Sequence, residues 1–283
     1  MARAAIAELF RDGRFEISEV RAWLETAPLD TLDDADHCAL FEFLRHKYVF
    51  ISNRSVELRA DKREKRKEMI RLLLSHGVNA NACGHLGRPL SFCATPAEAA
   101  LLLDAGARID AETQIQYAWY SPLFQNTQTV LSEVLRRTRW HSAPAIDLVR
   151  SFDLVRFFVS RGADFDAPNS QGVSPARLAH QKLNGTNRII QDRQEANPEH
   201  RVDHLCQVAQ LFDDVRDAGG CWAAYVRAPR IGLVRLRALC IHGRAAPPAD
   251  KVLERLFSTR LPNECFWNVL AFWRSSREIF PEY

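Results

Sequence analysis

Long apolar runs are missing from this sequence, since no stretch approaches the roughly eighteen uninterrupted apolar residues that a membrane-spanning helix needs. The first ten residues also lack the apolar core and the cleavage site of a secretory signal. Neither sign of charge dominates, because 38 basic and 35 acidic side chains leave a net charge of +3. We therefore expect no membrane insertion and no general electrostatic attraction to nucleic acid.

The cysteines show no paired spacing. Their number is odd and no CxxC motif occurs among Cys38, Cys83, Cys93, Cys206, Cys221, Cys240 and Cys265. Such a pattern suits reduced thiols in a cytoplasmic or nuclear protein. Arg3 and Arg11 would suit an organelle address, but Glu8 and Asp12 oppose that interpretation.

Motifs of catalysis are missing as well. The sequence holds no glycine-rich phosphate loop, no GxSxG elbow and no nucleophile with a base beside it. His200 and His204 have the spacing of two ligands on one helix face, but no glutamate follows the first histidine and no further pair completes a metal shell. We therefore predict a protein that is not an enzyme and that needs no metal or cofactor.

Three stretches of the chain end in the same way, at residues 75–82, 104–111 and 160–167. In each, a glycine follows a leucine- or phenylalanine-rich helical run, at Gly77, Gly106 and Gly162. Glycine adopts the left-handed conformation that ends a helix, and the Asn or Asp that follows favours a turn. The repetition predicts a stack of similar units instead of one compact pocket.

A second signal lies after each glycine, where Pro89, Pro122 and Pro175 are each predicted to open a helical stretch. Pro89 and Pro122 are 33 residues apart, which is the ankyrin period. With the Gly-Ala-Asp type of closing turn, these segments resemble ankyrin repeats, best over residues 34–180. The resemblance implies pairs of helices that stack side by side and bind proteins.

The predicted architecture is an all-α ankyrin-repeat solenoid of about four to five irregular helix-pair repeats, followed by a helical module. Residues 1–33 would form capping helices, at Ala4 to Phe10 and Ile17 to Glu25. Residues 34–220 would hold the repeats, with insertions at 47–65, 136–150 and 184–200. Residues 221–283 would form the C-terminal module.

The resemblance implies that partners bind at the tips between repeats. The tip 111–121 is unusual, because its aromatic side chains Tyr117, Trp119 and Tyr120 are of the kind that anchor interfaces. Alternatively, Trp119 covers core near Trp140. The other tips offer smaller polar candidates: His85, Asn169 and Gln171. The basic run 59–67 is interrupted by carboxylates, so we interpret it as an exposed helix and expect no nucleic-acid partner.

The last sixty residues contain a well-marked helix start, with Pro262 and Glu264 before an apolar stripe at Phe266, Val269, Leu270 and Trp273. Leu261-Pro262-Asn263-Glu264 resembles the opening of an F-box, which implies docking to a Skp adaptor. Leu236 and Cys240 are similar in spacing to the elongin-binding helix of a SOCS box, with Leu261 and Pro262 at its cullin-contacting end. The alternative is a cap that seals the last repeat.

Together these features predict a non-enzymatic adaptor or scaffold that binds other proteins. One hypothesis is substrate recognition for a cullin-type ubiquitin ligase, with a Skp or elongin adaptor docked at the C-terminal module. The alternative is a structural subunit of a larger stable multiprotein assembly. The ligase hypothesis needs Phe266, Leu270 and Trp273 to be accessible, whereas the capping hypothesis needs them buried.

Overall fold

A computed structural model describes residues 17–26, 43–44, 56–82, 88–110, 113–116, 125–137, 145–193, 199–258, 260–272 and 277. Its α-helices are α1 (Ile17–Thr26), α2 (Val56–Ser75), α3 (Pro96–Asp104), α4 (Val130–Arg137), α5 (Ala145–Ser160), α6 (Pro175–Arg193), α7 (Glu199–Asp217), α8 (Trp222–Ile241), α9 (Lys251–Phe257) and α10 (Asn263–Phe272). Apart from one two-stranded hairpin, the regular secondary structure of the described residues is thus helical, which confirms the predicted all-α class.

The chain divides into two compact units, Met1–Gln210 and Leu211–Glu282. In the first unit, α1 contacts α2, α2 contacts α3, and α3 contacts α5. A short 3-10 helix (Pro89–Phe92), α4 and α6 form a second series of neighbours, each in contact with the next. The helices of this unit therefore lie in two rows, and the contacts of α3 and α4 connect the rows.

The glycine helix stops are confirmed at all three repeated positions, because Gly77, Gly106 and Gly162 have φ values of 83°, 86° and 91°. At the end of α2 the amide of Gly77 donates to the Leu74 carbonyl, and the next amide, of Val78, donates to the Leu73 carbonyl. The same two bonds follow α3 and α5. They satisfy carbonyls that the last helical turn leaves without partners.

The turns that follow these glycines are bonded to one another. The Asn81 side chain donates to the Gly106 carbonyl at 2.8 Å and accepts from the Arg108 amide at 2.8 Å. The Asp110 carboxylate accepts from the Asp164 amide at 3.0 Å. Three consecutive turns therefore lie side by side, although the last two are 54 residues apart in the sequence.

A buried ion pair joins α2 to α3. The guanidinium of Arg66 donates to both carboxylate oxygens of Glu98, at 2.8 and 3.1 Å, and both side chains are almost fully buried. Glu98 also accepts from the Ala94 amide at 2.8 Å, so that three donors satisfy its carboxylate. Thr95 caps the start of α3 by accepting from the Glu98 amide. The pair fixes how the two helices align, because breaking it would leave a buried charge alone.

The predicted helix openings are confirmed only in part. Pro175 opens α6, where the Ser174 hydroxyl accepts from the Arg177 amide. Pro89 opens only the short 3-10 helix. Pro122 lies outside the described residues, but the helical stretch predicted after it is absent from residues 125–128, where strand β2 (Gln125–Gln128) pairs antiparallel with β1 (Thr113–Gln116). Ile115 is the one apolar residue in these two strands. A helix formed by the same residues would therefore lack the apolar face that a helix must bury.

Other parts of the predicted division are described only partly. The helix predicted at Ile17 to Glu25 is confirmed as α1, whereas Ala4 to Phe10 lies outside the described residues. The proposed insertions overlap helices, because α2 covers 56–65 and α6 continues as far as Arg193. The three-part division at residues 33 and 220 stays a prediction.

We expect Gly162→Ala to lower the free energy of unfolding by about 1 kcal/mol, because a left-handed backbone disfavours any side chain there. Gly185→Ala is the matched control, since Gly185 lies within α6 at an ordinary φ. It should stabilise the chain by about 0.5–1 kcal/mol. Urea unfolding of both variants tests this. If both substitutions changed the free energy of unfolding equally and in the same direction, Gly162 would not need its left-handed conformation. No atom lies within 4 Å of a Cβ added at either glycine, so a steric clash contributes to neither change in stability.

A buried carboxylate in α5 predicts a pH dependence of stability. Asp153 is 5% exposed, and its Oδ2 accepts no hydrogen bond from any described residue. Burial raises the pKa of this carboxyl from 3.8 to about 6, although the charge of Arg156 partly opposes the shift. The folded chain therefore keeps a proton that the unfolded chain releases, and stability falls as the pH rises from 3.8 to about 6.

Asp153→Asn removes this titration. At pH 8 we expect the variant to be more stable than the natural chain by about 1–3 kcal/mol, whereas the two should be alike at pH 3. Unfolding free energies measured across this pH range test the prediction. A difference that does not change with pH would contradict it.

Candidate partner-docking surface of the C-terminal module

The structure describes two of the predicted tip residues. Asn169 builds its own turn, because its side-chain oxygen accepts from the amides of Gln171 at 3.0 Å and Val173 at 2.9 Å. The side chain of Gln171 is exposed and makes none of these bonds. Asn169 is therefore a structural residue, and Gln171 is the one that faces solvent. His85, Tyr117, Trp119 and Tyr120 lie outside the described residues.

The C-terminal module has a core of its own. Phe257 at the end of α9, and Phe266 and Leu270 on α10, are at most 5% exposed and form one cluster. The rings of Phe257 and Phe266 meet edge-on, 6.2 Å apart. Half-buried side chains pack against this cluster, most of them from α8: Leu233, Val234, Leu236, Cys240, Leu256 and Leu261. The three helices therefore cover a shared apolar centre.

One charged side chain, Arg237, lies on the same inner side of α8. It is 4% exposed, and its guanidinium donates to the carbonyls of Leu256 and Leu261. It also donates to Asn263 Oδ1 at 3.3 Å and lies 4.4 Å from the ring centroid of Phe266. Helix ends leave carbonyls without partners, so Arg237 satisfies the end of α9 and the turn before α10 with one group.

Sequence reasoning missed Arg237. The signal that could have found it is its position in a helical series of apolar residues, because Leu233, Leu236 and Cys240 all lie on one side of α8. A charged residue in such a series is either a break in the pattern or a buried group with several partners. The structure shows the second case.

A second arginine compensates for a proline inside α8. Pro229 has no amide hydrogen, so the Tyr225 carbonyl loses its helical partner. Arg277 donates to that carbonyl at 3.0 Å, and its guanidinium lies 4.1 Å from the centroid of the Tyr225 ring. The same guanidinium is 3.7 Å from the carboxylate of Asp214 at the end of α7. Arg277 is thus held against α8 and the end of α7.

The structure places the predicted C-terminal site residues mainly inside this module. Phe266 and Leu270 are fully buried in its core, and Leu236, Cys240 and Leu261 are half-buried against them. Pro262 is exposed, and Trp273 lies outside the described residues. The accessibility that the ligase hypothesis required of Phe266 and Leu270 is therefore absent, because α8 and α9 cover both side chains. A ligase adaptor could dock on this module only through residues other than these two.

A second side of α10, next to the buried one, is apolar and exposed. Val269, which was predicted to share one stripe with Phe266 and Leu270, is instead 46% exposed, and Phe272 is 87% exposed. Together with exposed Cys265 they recur at the helical spacing i, i+4 and i+7, and we call these three residues the α10 outer stripe. Trp267 on α10 and Val252 on α9 are also more than half exposed. A helix that is apolar on two sides is typical of one that binds a partner.

The described residues hold no cluster of three or more potential metal ligands. Within the same residues, no helix is both long and apolar enough to cross a bilayer. No protein-family model matches the chain, and the search of curated proteins found no match either. The candidate site is thus defined by geometry: a compact three-helix module with an uncovered apolar stripe.

We expect Arg237→Met to destabilise the module by about 2–4 kcal/mol, because two partly buried carbonyls would lose their charged donor. Arg235→Met is the matched control two residues away, since Arg235 is exposed. Its effect should stay within about 0.5 kcal/mol. Thermal unfolding followed by tryptophan fluorescence distinguishes the two. Similar losses from both variants would show that Arg237 does not hold the helices together.

Proposed function

We propose that this chain is a non-enzymatic adaptor built on ankyrin-type repeats, and that its C-terminal module docks a Skp or elongin adaptor of a cullin-type ubiquitin ligase. The repeat unit would hold the substrate protein. The α10 outer stripe is the observation that carries the proposal, because Val269 and Phe272 expose apolar area that a partner would bury. The proposal implies a cytoplasmic or nuclear location, in which thiols stay reduced.

The repeat assignment is supported by features that recur through the first unit. Three helices end at a left-handed glycine, and the turns after them are bonded side chain to backbone. Two rows of helices are the arrangement that stacked helix pairs produce. In such an array the tips lie in a line, so that exposed residues such as Gln171 are available to a bound protein.

The docking mode differs from the one suggested by sequence. Leu236 and Cys240 pack against the module's core, so they contact the buried side of α10 and not a partner. Cys265, Val269 and Phe272 are the residues in a position to contact the partner. Because the core is already closed by Phe257, Phe266 and Leu270, docking requires no opening of the module. Binding therefore costs little conformational free energy.

A structural subunit of a larger stable assembly is the second candidate, and the same exposed stripe favours it. The two differ in what occupies the stripe: an exchangeable ligase adaptor or a permanent neighbour. Purification of the tagged chain from its native cells distinguishes them. Skp or elongin with a cullin at near-equal amounts supports the ligase proposal. A fixed set of unrelated subunits overturns it in favour of the second candidate.

Val269→Asp and Leu270→Asp form a matched pair of neighbours for the docking surface. Val269→Asp places a charge on the exposed stripe, so we expect normal unfolding but a loss of the captured adaptor by about tenfold or more. Leu270→Asp buries a carboxylate in the core, and we expect it to destabilise the module by about 3–5 kcal/mol. Capture and unfolding are measured on both variants. Undiminished capture by Val269→Asp would show that the partner docks elsewhere.

A further inference from the structure

The charges of the chain are unevenly distributed. Residues 218–249 carry five arginines and no Asp, Glu or Lys, whereas the whole chain is nearly balanced. Most of this stretch is α8, Trp222–Ile241. One of the five arginines, Arg237, is buried and already has partners in the core. Arg227, Arg230 and Arg235 also lie in α8, and they give this helix a positive charge that no acidic residue of its own offsets.

Two of these arginines lie on the solvent side of α8. Arg227, Ile231, Arg235 and Ala238 are all exposed and recur at i, i+4, i+8 and i+11, so they form one line along the helix. We call them the α8 cationic stripe. Ile231 is 49% exposed between the two guanidinium groups. The arginines are about 12 Å apart along the axis, at 1.5 Å per residue.

Arg227 and Arg235 make no ion pair with any residue that the structure describes. Two basic residues elsewhere are paired within their own helix: Lys67 with Glu64 at 2.5 Å, and Arg216 with Asp213 at 2.9 Å. Such pairs stabilise a helix by only a few tenths of a kcal/mol. Their absence from α8 therefore costs little and leaves two guanidinium groups available to a carboxylate from outside the chain.

The composition of α8 distinguishes between classes of anionic partner. Contacts to a phosphate backbone come from Ser, Thr, Asn, Gln and Lys as well as Arg, but α8 contains none of these others. A helix that lies in a lipid surface buries its apolar side, whereas the apolar side of α8 is occupied by the module's core. An apolar residue between two arginines instead matches a protein helix with carboxylates on either side of an apolar residue.

We propose that the α8 cationic stripe binds an acidic amphipathic helix of a partner protein, with carboxylates pairing to Arg227 and Arg235 and an apolar side chain seated on Ile231. Guanidinium groups bind carboxylates through two parallel hydrogen bonds, so both charge and geometry are complementary. This surface shares no residue with the α10 outer stripe. It therefore goes beyond the proposed ligase docking and can be tested apart from it.

The test uses the full chain and a fluorescent acidic peptide of about twenty residues, long enough as a helix to cover the stripe. Its glutamates flank a leucine at the spacing of the two arginines, and a scrambled peptide of equal composition is the control. We expect the patterned peptide to bind at least about tenfold more tightly than the scrambled one, with an affinity that falls as salt is added.

The double variant Arg227→Glu with Arg235→Glu should lose the preference for the patterned peptide over the scrambled one. Arg108→Glu with Arg177→Glu is the control variant, because both side chains are exposed on the first unit and the change in net charge is equal. The control should bind the peptide as the natural chain does. Equal binding of both peptides, or equal loss in both variants, would overturn the proposal.

Single-stranded DNA and vesicles of phosphatidylcholine with phosphatidylserine are assayed in parallel. Tighter binding of either one than of the patterned peptide, lost in Arg227→Glu with Arg235→Glu, would assign the stripe to nucleic acid or membrane and overturn the proposal. Val269→Asp keeps peptide binding if the two surfaces are independent. A loss of adaptor capture at the α10 outer stripe can therefore be distinguished from a loss of peptide binding at the α8 cationic stripe.

Discussion

The guanidinium of Arg237 is the group on which the C-terminal module depends. A buried cation is costly unless it is well bonded, and Arg237 meets that cost with two backbone carbonyls, Asn263 and the face of the Phe266 ring. Because those carbonyls belong to the end of α9 and the turn before α10, one side chain determines where α10 begins. In the helix that begins there, Phe266 and Leu270 face inward, and Val269 and Phe272 face outward. The candidate docking surface is a consequence of this buried interaction.

The first unit is stabilised by a different interaction, a hydrogen bond from one turn to the next, which is repeated along the chain. Each closing glycine ends a helix, and after the first two of them an Asn or Asp bonds the next turn through its side chain, as Asn81 does with Gly106 and Arg108. Since these bonds join neighbouring turns only, each turn can carry its own exposed residues without disturbing the others. Binding surfaces on such a unit change with the tips, while the interior stays the same. A substrate-holding role for this unit fits that property.

The helix ends could be predicted from sequence because their cause is local: a glycine, an apolar helical run before it and an Asn or Asp after it. The failure at Pro122 has a local cause too, since a proline that favours a helix start does not supply the apolar face that a helix must bury. The role of Arg237 could not be predicted, because its partners come from residues 256–263, across a turn whose path the sequence does not specify. For the same reason the apolar residues of α10 were foreseen, but the side that faces outward was not.

The central claim is that a partner protein covers the α10 outer stripe. A photo-crosslinking amino acid placed at Phe272, the most exposed apolar side chain described, tests it directly in the native cells. The account predicts one dominant crosslinked protein, a Skp or elongin adaptor, lost when Val269 is changed to Asp. Crosslinks only within the chain itself, with the adaptor still co-purifying, would contradict it.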